Sequence, residues 1–295
     1  MKPSRERPKE GLSKDAKKER IDLLMVARGL AQSRERARAL ILAGRVLAAE
    51  QKVDKPGTLI GDETPIRILG EDLRYVSRGG LKLEAALKHW QIPTEGRACL
   101  DIGTSTGGFT DCLLQHGAAH VSCVDTGFGQ IAMKLRQQAA PNSETGDEPK
   151  IRLPKIRLYE RTNARTLAPN SLVPGPLAPQ PNANPPQPAL TLLVMDVSFI
   201  SATLILPAVL AAAPTLTEAV ILVKPQFEAG RESVGKGGIV RDPKAHQRSI
   251  ERVAQCINEL GATEIEIIDS PITGAEGNRE FLLHARLAAS SAAAS

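Results

Sequence analysis

Four charged side chains, far apart in the chain, have the types and settings to do chemistry together: Lys82, Asp196, Lys224 and Glu280. Asp196 closes the apolar run Leu192-Leu193-Val194-Met195, and Lys224 closes Ala219-Val220-Ile221-Leu222-Val223. Glu280 precedes Phe281-Leu282-Leu283, and Lys82 opens a helical stretch after Arg78-Gly79-Gly80. Open α/β sheets bind ligands outside the carboxyl ends of their strands, so such a fold delivers all four to one crevice. Two lysines and two carboxylates there can bind a hydroxyl and help remove its proton, which is the chemistry of group transfer onto an alcohol. Lys224 is the candidate base, yet an ordinary lysine is charged at neutral pH. Burial and the neighbouring Lys82 favour its neutral form, and Asp196 and Glu280 favour the charged one. The sequence leaves two roles open, base or cationic stabiliser of the developing alkoxide.

A second motif supplies a donor. Leu100-Asp101-Ile102-Gly103-Thr104-Ser105-Thr106-Gly107-Gly108-Phe109-Thr110 joins a strand to a helix with the spacing G-x-x-x-G-G. That is not the dinucleotide fingerprint G-x-G-x-x-G, so a pyrophosphate is poorly accommodated. The next strand, Val121-Ser122-Cys123-Val124, ends in Asp125, where a carboxylate can accept both hydroxyls of a ribose. A mononucleoside such as S-adenosylmethionine fits this arrangement. The expected cofactor-binding set is Gly103, Ser105, Gly107, Gly108, Phe109, Asp125, Asn163 and Asp196. Asn163 lies in a Thr-Asn-Ala turn and reads equally well as a contact to the adenine edge or as a turn former.

Strands and helices must hold these residues, and from Ala98 they alternate, with candidate strands at 98–102, 119–124, 155–159, 191–195, 219–223, 263–268 and 280–286. The expected fold class is α/β, a Rossmann-like sheet with mostly parallel strands. Residues 168–188 hold eight prolines and read as an exposed insert, 141–150 as a smaller one, and 288–295 as a disordered tail. The loop Gly230 to Asp242, rich in glycine, reads as a lid over substrate or as a plain connection. Trp90, Phe109 and Phe128 read as packing residues. The four cysteines, Cys99, Cys112, Cys123 and Cys256, lack C-x-x-C spacing, and the five histidines show no ligand spacing, so no metal is expected.

The N-terminal third has a different character. Residues 1–90 carry 20 Lys+Arg against 13 Asp+Glu, and residues 91–295 carry 18 against 20. A basic excess confined to one segment suits a polyanion, although residues 1–19 also read as a solvated, disordered basic arm. Beyond it, Ile21, Leu24 and Met25 mark a short amphipathic helix, and Ser33 caps a second with Ala37, Leu40 and Ile41 on its apolar face. Arg34 and Arg38 lie one turn apart, and Arg45 continues the row. The N-terminus has no apolar signal core, and no run approaches the ~18 apolar residues of a membrane span, so a cytoplasmic protein without stable membrane association is expected. Oligomeric state is not legible.

Two resemblances organise these observations. Arg20-Ile21-Asp22, Leu24, Arg28-Gly29, Ser33-Arg34, Ala37, Ile41, Gly44-Arg45-Val46 and Lys55-Pro56-Gly57 resemble the S4-like RNA-binding domain. Ala48-Ala49-Glu50-Gln51 departs from the Asn-Gly or Asp-Gly turn usual there, so a longer or looser hairpin is expected. Tyr75-Val76-Ser77-Arg78-Gly79-Gly80-Leu81-Lys82-Leu83, the glycine loop, Asp125-Thr126-Gly127-Phe128-Gly129-Gln130, Glu160-Arg161-Thr162-Asn163-Ala164-Arg165, Asp196-Val197-Ser198-Phe199-Ile200-Ser201 and Lys224-Pro225-Gln226-Phe227-Glu228 follow in order. Together they resemble the TlyA-type family, named historically as haemolysins and assigned as ribosomal-RNA (cytidine-2′-O)-methyltransferases, with an FtsJ-like methyltransferase domain. The resemblance runs from about Arg20 to Arg286, interrupted only by the two inserts. It implies an S4-like domain at 20–77, a methyltransferase domain at 78–287, S-adenosylmethionine as donor, and a cytidine ribose of ribosomal RNA or ribosomal subunits as acceptor. It makes Lys82, Asp196, Lys224 and Glu280 the catalytic set, and Arg20, Arg28, Arg34, Arg38, Arg45 and Arg78 the expected RNA contacts. Two other classes compete: a membrane-active haemolysin-like protein, and a non-catalytic RNA-binding assembly factor.

Overall fold

Ile21, Met25, Ala37, Leu40, Ile41 and Val46 bury their side chains together, and sealing that apolar stripe builds the first of two units. The computed structural model describes residues 18–31, 33–69, 74–139, 154–173, 188–274 and 277–288. The chain divides after Asp72. In the first unit, helices α1 (Ile21–Ala27) and α2 (Arg34–Leu42) pack on a small sheet. Ser33 Oγ accepts from Arg36 N at 3.2 Å, which caps α2 as expected. Strand β1 (Lys18–Arg20) pairs antiparallel with β4 (Leu59–Gly61), while β2 (Val46–Ala48) lies between β3 (Gln51–Val53) and β5 (Ile66–Ile68). Lys18 and Glu19 are therefore strand residues rather than part of a disordered arm; residues 1–17 lie outside the described residues.

The β2–β3 hairpin is tight, not loose. Ala48 pairs with Gln51, and the two residues between them, Ala49 and Glu50, take φ of 47° and 62°. Both occupy the left-handed region that Asn-Gly adopts in the usual two-residue turn. Sheet pairing imposes the turn on two residues ill-suited to it.

The second unit is one seven-stranded sheet with helices on both faces. Its elements are α3 (Gly79–His89), β6 (Ala98–Ile102), α4 (Gly108–Gln115), β7 (His120–Val124), α5 (Met133–Arg136), β8 (Ile156–Tyr159) and β9 (Leu190–Met195). They continue as α6 (Leu206–Ala212), β10 (Glu218–Val223), α7 (Pro225–Glu228), α8 (Pro243–Glu259), β11 (Ala262–Asp269) and β12 (Phe281–Leu287). The strand order is β11-β12-β10-β9-β6-β7-β8. Strands β6 to β10 are parallel, as the alternation of elements requires. Strand β12 runs antiparallel to both β10 and β11, because no helix separates β11 from β12 to carry the chain back. Each central strand is apolar on both faces: Leu193 and Met195 enter one core with Leu206 and Val209, while Leu192 and Val194 enter the other with Leu83 and Leu113.

The proline-rich stretch does not begin as an exposed insert. Leu172 is 2% exposed, and its backbone N–H donates to Ala212 O at 3.0 Å, docking 168–173 on the end of α6. The remainder of that expected insert, 174–187, the smaller insert at 141–150, and the tail at 289–295 lie outside the described residues. Cys99, Cys112 and Cys123 are buried free thiols, and burial pushes the first two up to about 12. Among the described residues, no His/Cys/Asp/Glu group could hold a metal, and no helix is long and apolar enough to cross a membrane.

Candidate functional site

The sheet reverses its winding between β6 and β9, and a crevice opens outside the carboxyl ends of such strands. Asp196 follows β9 and Lys224 follows β10. Glu280 reaches the same edge because β12 is antiparallel: Phe281, its first residue, pairs with Val223, the last of β10. Lys82 comes from the first turn of α3. The structure resolves the four charges into two ion pairs, Lys224 Nζ to Asp196 Oδ1 at 2.5 Å and Lys82 Nζ to Glu280 Oε2 at 2.5 Å. Lys82, Lys224 and Glu280 are all under 10% exposed. Burying charges so deeply is tolerable only with partners, and here the partners are each other. A cleft of about 480 Å³ is lined by Lys82, Asp196, Ser198 and Lys224 together with Arg78 and Gly103.

A second cavity of about 500 Å³ adjoins the first and shares Gly103, Ser105, Asp196 and Ser198 with it. Ile102, Val124, Ala164 and Ile205 give it an apolar lining, and Asp125 and Asn163 give it polar edges. Gly103 and Gly107 have φ of 82° and 93°, which side-chain-bearing residues rarely adopt, and a Cβ on Gly103 would run into the Asp196 backbone. The Asp125 carboxylate accepts from Ser105 N and from Gly127 N, each at 2.7 Å, which fixes it against the glycine loop. Each oxygen keeps lone-pair capacity for a further donor. Beneath the loop, Asp101 is fully buried, and burial raises its carboxyl to about 7 despite a hydrogen bond from Thr110 Oγ1 at 2.5 Å and with the Asp196 charge adding to the rise. Asn163 Oδ1 accepts from Arg165 N at 3.0 Å, so it does serve as a turn former, and the residue also lines the cavity. Phe109 is 3% exposed, packed in the core and touching the cleft.

Residues that sequence reasoning passed over complete the site. Ser198 Oγ accepts from Lys224 Nζ at 2.9 Å. Glu228 is 3% exposed; it accepts from Ser201 Oγ at 2.5 Å and from Ala202 N at 2.7 Å, and burial raises its carboxyl. Asn278, 1% exposed, donates to Gly238 O and accepts from Val240 N, both at 2.9 Å, which stitches the glycine-rich 230–242 loop to the segment carrying Glu280. Phe199 is 92% exposed at the rim of the second cavity, and Phe128 is 63% exposed with the Arg161 guanidinium 4.3 Å over its ring. Phe128 is thus not a packing residue.

The expected RNA-binding arginines are dispersed. Arg20 and Arg34 both bind buried Asp22, Arg20 through two bonds of 2.9 Å and Arg34 Nε at 3.0 Å, and they hold its carboxyl down at about 2. Both guanidinium groups keep a solvent-facing side. Arg28 bonds the carbonyls of Asp62 and Thr64, Arg45 Nε bonds Leu69 O at 2.8 Å, and Arg38 is exposed. Arg78 belongs to the second unit, where it lines the same cleft as Lys82 and Lys224 and its Nη2 lies 3.3 Å from Thr273 O.

A winding reversal flanked by a glycine loop and a strand-end aspartate, with paired lysines and carboxylates beside it, has the layout of a Rossmann-type transferase. Residues 75–287 match the family model described as FtsJ-like methyltransferase, and residues 19–66 match the S4 domain. The chain is 46% identical over 269 residues to YqxC of Bacillus subtilis, provisionally described as an rRNA methyltransferase, covering 91% of this chain and 86% of that one. It is 40% identical over 272 residues to the 16S/23S rRNA (cytidine-2'-O)-methyltransferase TlyA of Mycobacterium tuberculosis, covering 92% and 91%. A solved structure from Streptococcus thermophilus, provisionally described as a hemolysin, superposes with a TM-score of 0.61 at 39% identity and covers 92% of this chain and 88% of that one. The chain belongs to the FtsJ-like methyltransferase family and carries an S4 domain ahead of its catalytic unit.

Proposed function

We propose that this protein methylates the 2′-hydroxyl of a cytidine ribose in ribosomal RNA, with S-adenosylmethionine as donor. The observation that carries the reading is the junction of the two cavities. The cleft of paired lysines and carboxylates opens directly onto the Asp125 pocket, and Asp196 lines both. The pocket fits S-adenosylmethionine: Asp125 can take the ribose hydroxyls, the Ile102, Val124 and Ile205 walls can take the adenine, and the glycine loop lets backbone approach the remainder. When bound, that cofactor supplies a sulfonium methyl, an electrophile that needs no further activation.

The chain's own residues must place the acceptor oxygen in line and manage its proton. Lys224 is the group for this, as base if neutral or as stabiliser of the developing alkoxide if charged, and Asp196 orients it. Glu280 orients Lys82 in the same way. The exposed Phe199 ring at the rim offers a face on which a base can stack. The S4 domain, with Arg20 and Arg34 fixed beside each other on Asp22 and Arg38 exposed, supplies cations for phosphates. Residues 20–77 as RNA-binding domain and 78–287 as catalytic domain are part of this reading, as is a cytoplasmic site of action.

The test is transfer of labelled methyl to unmodified bacterial ribosomal subunits by wild type and by Lys224→Ala, with the product mapped by digestion and mass. Label on a cytidine ribose, lost in the variant, is the expected result. No label despite measurable cofactor binding refutes the reading and favours a non-catalytic assembly factor.

A further inference from the structure

Lys224 Nζ donates a hydrogen bond to the Ser198 hydroxyl at 2.9 Å and lies 2.5 Å from the Asp196 carboxylate, an ion pair outside hydrogen-bond geometry that leaves buried Asp196 Oδ1 without a hydrogen-bond donor. Lys224, Asp196 and Ser198 all line the same cleft. We propose that Ser198 is a positioning residue for methyl transfer: its hydroxyl fixes the direction of Lys224 Nζ, which the Asp196 charge alone does not, and so holds the amine toward the acceptor 2′-oxygen. This deepens the proposed function and rests on it.

The local fold is arranged to hold that hydroxyl. Phe199, the next residue, has φ of 68°, a left-handed conformation that a bulky side chain adopts only under constraint. The constraint acts at both ends of the loop. Asp196 N donates to Ile102 O at 2.9 Å, while Ser201 and Ala202 are gripped by Glu228. Glu228 ends α7, the short helix that Lys224 caps, and Arg252 Nη1 of α8 donates to Glu228 O at 2.7 Å. The element that presents the lysine therefore also grips the loop that presents the serine. Ser198 needs no unusual chemistry of its own. As the methyl moves, the O2′–C bond forms and the S–C bond breaks, with its electron pair left on sulfur. The O2′ proton passes to Lys224 if that amine is neutral, or to solvent if it is charged; Ser198 ends with the proton it began with.

The experiment measures kcat and KM with labelled S-adenosylmethionine and unmodified ribosomal subunits, using the full chain. Ser198→Ala is expected to lower kcat about tenfold with KM little changed, and to leave cofactor affinity by calorimetry within about twofold. Ser198→Thr, which keeps the hydroxyl, is expected to restore the rate. A Ser198→Ala kcat equal to that of wild type, or a loss confined to KM, overturns the positioning role. So does a Ser198→Thr variant as impaired as Ser198→Ala. Wild type that binds cofactor and transfers nothing overturns the proposed function itself, and the serine's role with it.

Discussion

Breaking the Lys82–Glu280 pair from one side and then from both separates what the pair does for the fold from what it does for chemistry. The Lys82 side chain is 10% exposed and the Glu280 side chain 3%, with Nζ and Oε2 at 2.5 Å. For charge centres about 4 Å apart at an effective dielectric of about 20, the attraction is about 4 kcal/mol, against a desolvation penalty of similar size. Lys82→Met removes the attraction and leaves the Glu280 carboxylate buried, so the cost is about 3–5 kcal/mol. That is a large share of the roughly 5–15 kcal/mol that holds a domain together. Glu280→Leu strands the ammonium and costs a similar amount, somewhat less because Lys82 is nearer solvent. Lys82→Met with Glu280→Leu removes both penalties and comes within about 1–2 kcal/mol of wild type. The chain's one tryptophan, Trp90, sits at the end of α3 in the catalytic unit, so its fluorescence in a urea titration follows that unit alone. All three variants are expected to transfer no methyl, the double variant while folded. Two single variants each within about 1 kcal/mol of wild type would refute the energetic reasoning. An active double variant would show that the pair is scaffold and not machinery.

Three further outcomes follow from particular contacts. At the opposite end of β10, Glu218 is 1% exposed; burial raises its carboxyl, but bonds from His284 and Arg97 and the charges of Arg97 and Arg286 more than offset this and hold it down at about 2. Since that folded value lies below the usual 4.5, Glu218→Gln should cost about 2–3 kcal/mol at pH 5.5, allowing for the half-exposed Arg286, and the difference from wild type should vanish as pH falls through about 2; urea titrations across that range check it. Asp125→Asn leaves only one carbonyl oxygen where two carboxylate oxygens serve Ser105 N and Gly127 N, and should weaken S-adenosylmethionine binding at least about tenfold by calorimetry. Ala49→Asn relieves a left-handed alanine at φ 47° and should stabilise the first unit by about 0.5–1 kcal/mol, read by hydrogen exchange of β2 and β3.

Every one of the seven sheet strands was legible in the sequence to within a residue or so: β6 to β10 are short, largely apolar runs ended by a charge or a glycine, and β11 alternates polar and apolar residues. For the same reason Asp196, Lys224 and Glu280 could be placed at strand ends. Ser198, Glu228 and Asn278 could not be singled out. Each is a polar residue whose partner lies 26 to 40 positions away in sequence, and nothing local distinguishes a buried clamp from a surface hydroxyl or amide. Asp22 was hidden likewise, since only the fold brings Arg34 to the carboxylate that Arg20 already holds. The tight β2–β3 turn was masked by its composition: Ala49 and Glu50 carry no turn signal, and pairing of the flanking strands overrides their preference.

The direction of β12 matters most to whether four distant charges make one site. Glu280 lies just before the first residue of its strand, whereas Asp196 and Lys224 lie just after the last residues of theirs. In an all-parallel sheet those positions fall on opposite edges. A strand of seven residues rises roughly 3.3 Å per residue, so a parallel β12 would leave Glu280 roughly 20 Å from Lys82 and strand a buried ammonium without its counter-charge. The hairpin-like return from β11, with no intervening helix, brings the start of β12 beside the end of β10. Gly274 then leaves room for the Glu280 carboxylate to turn inward, since a Cβ there would meet it. The antiparallel β11–β12 pair at the sheet's edge is in this sense part of the candidate site, although neither strand contributes a side chain of its own to the cleft.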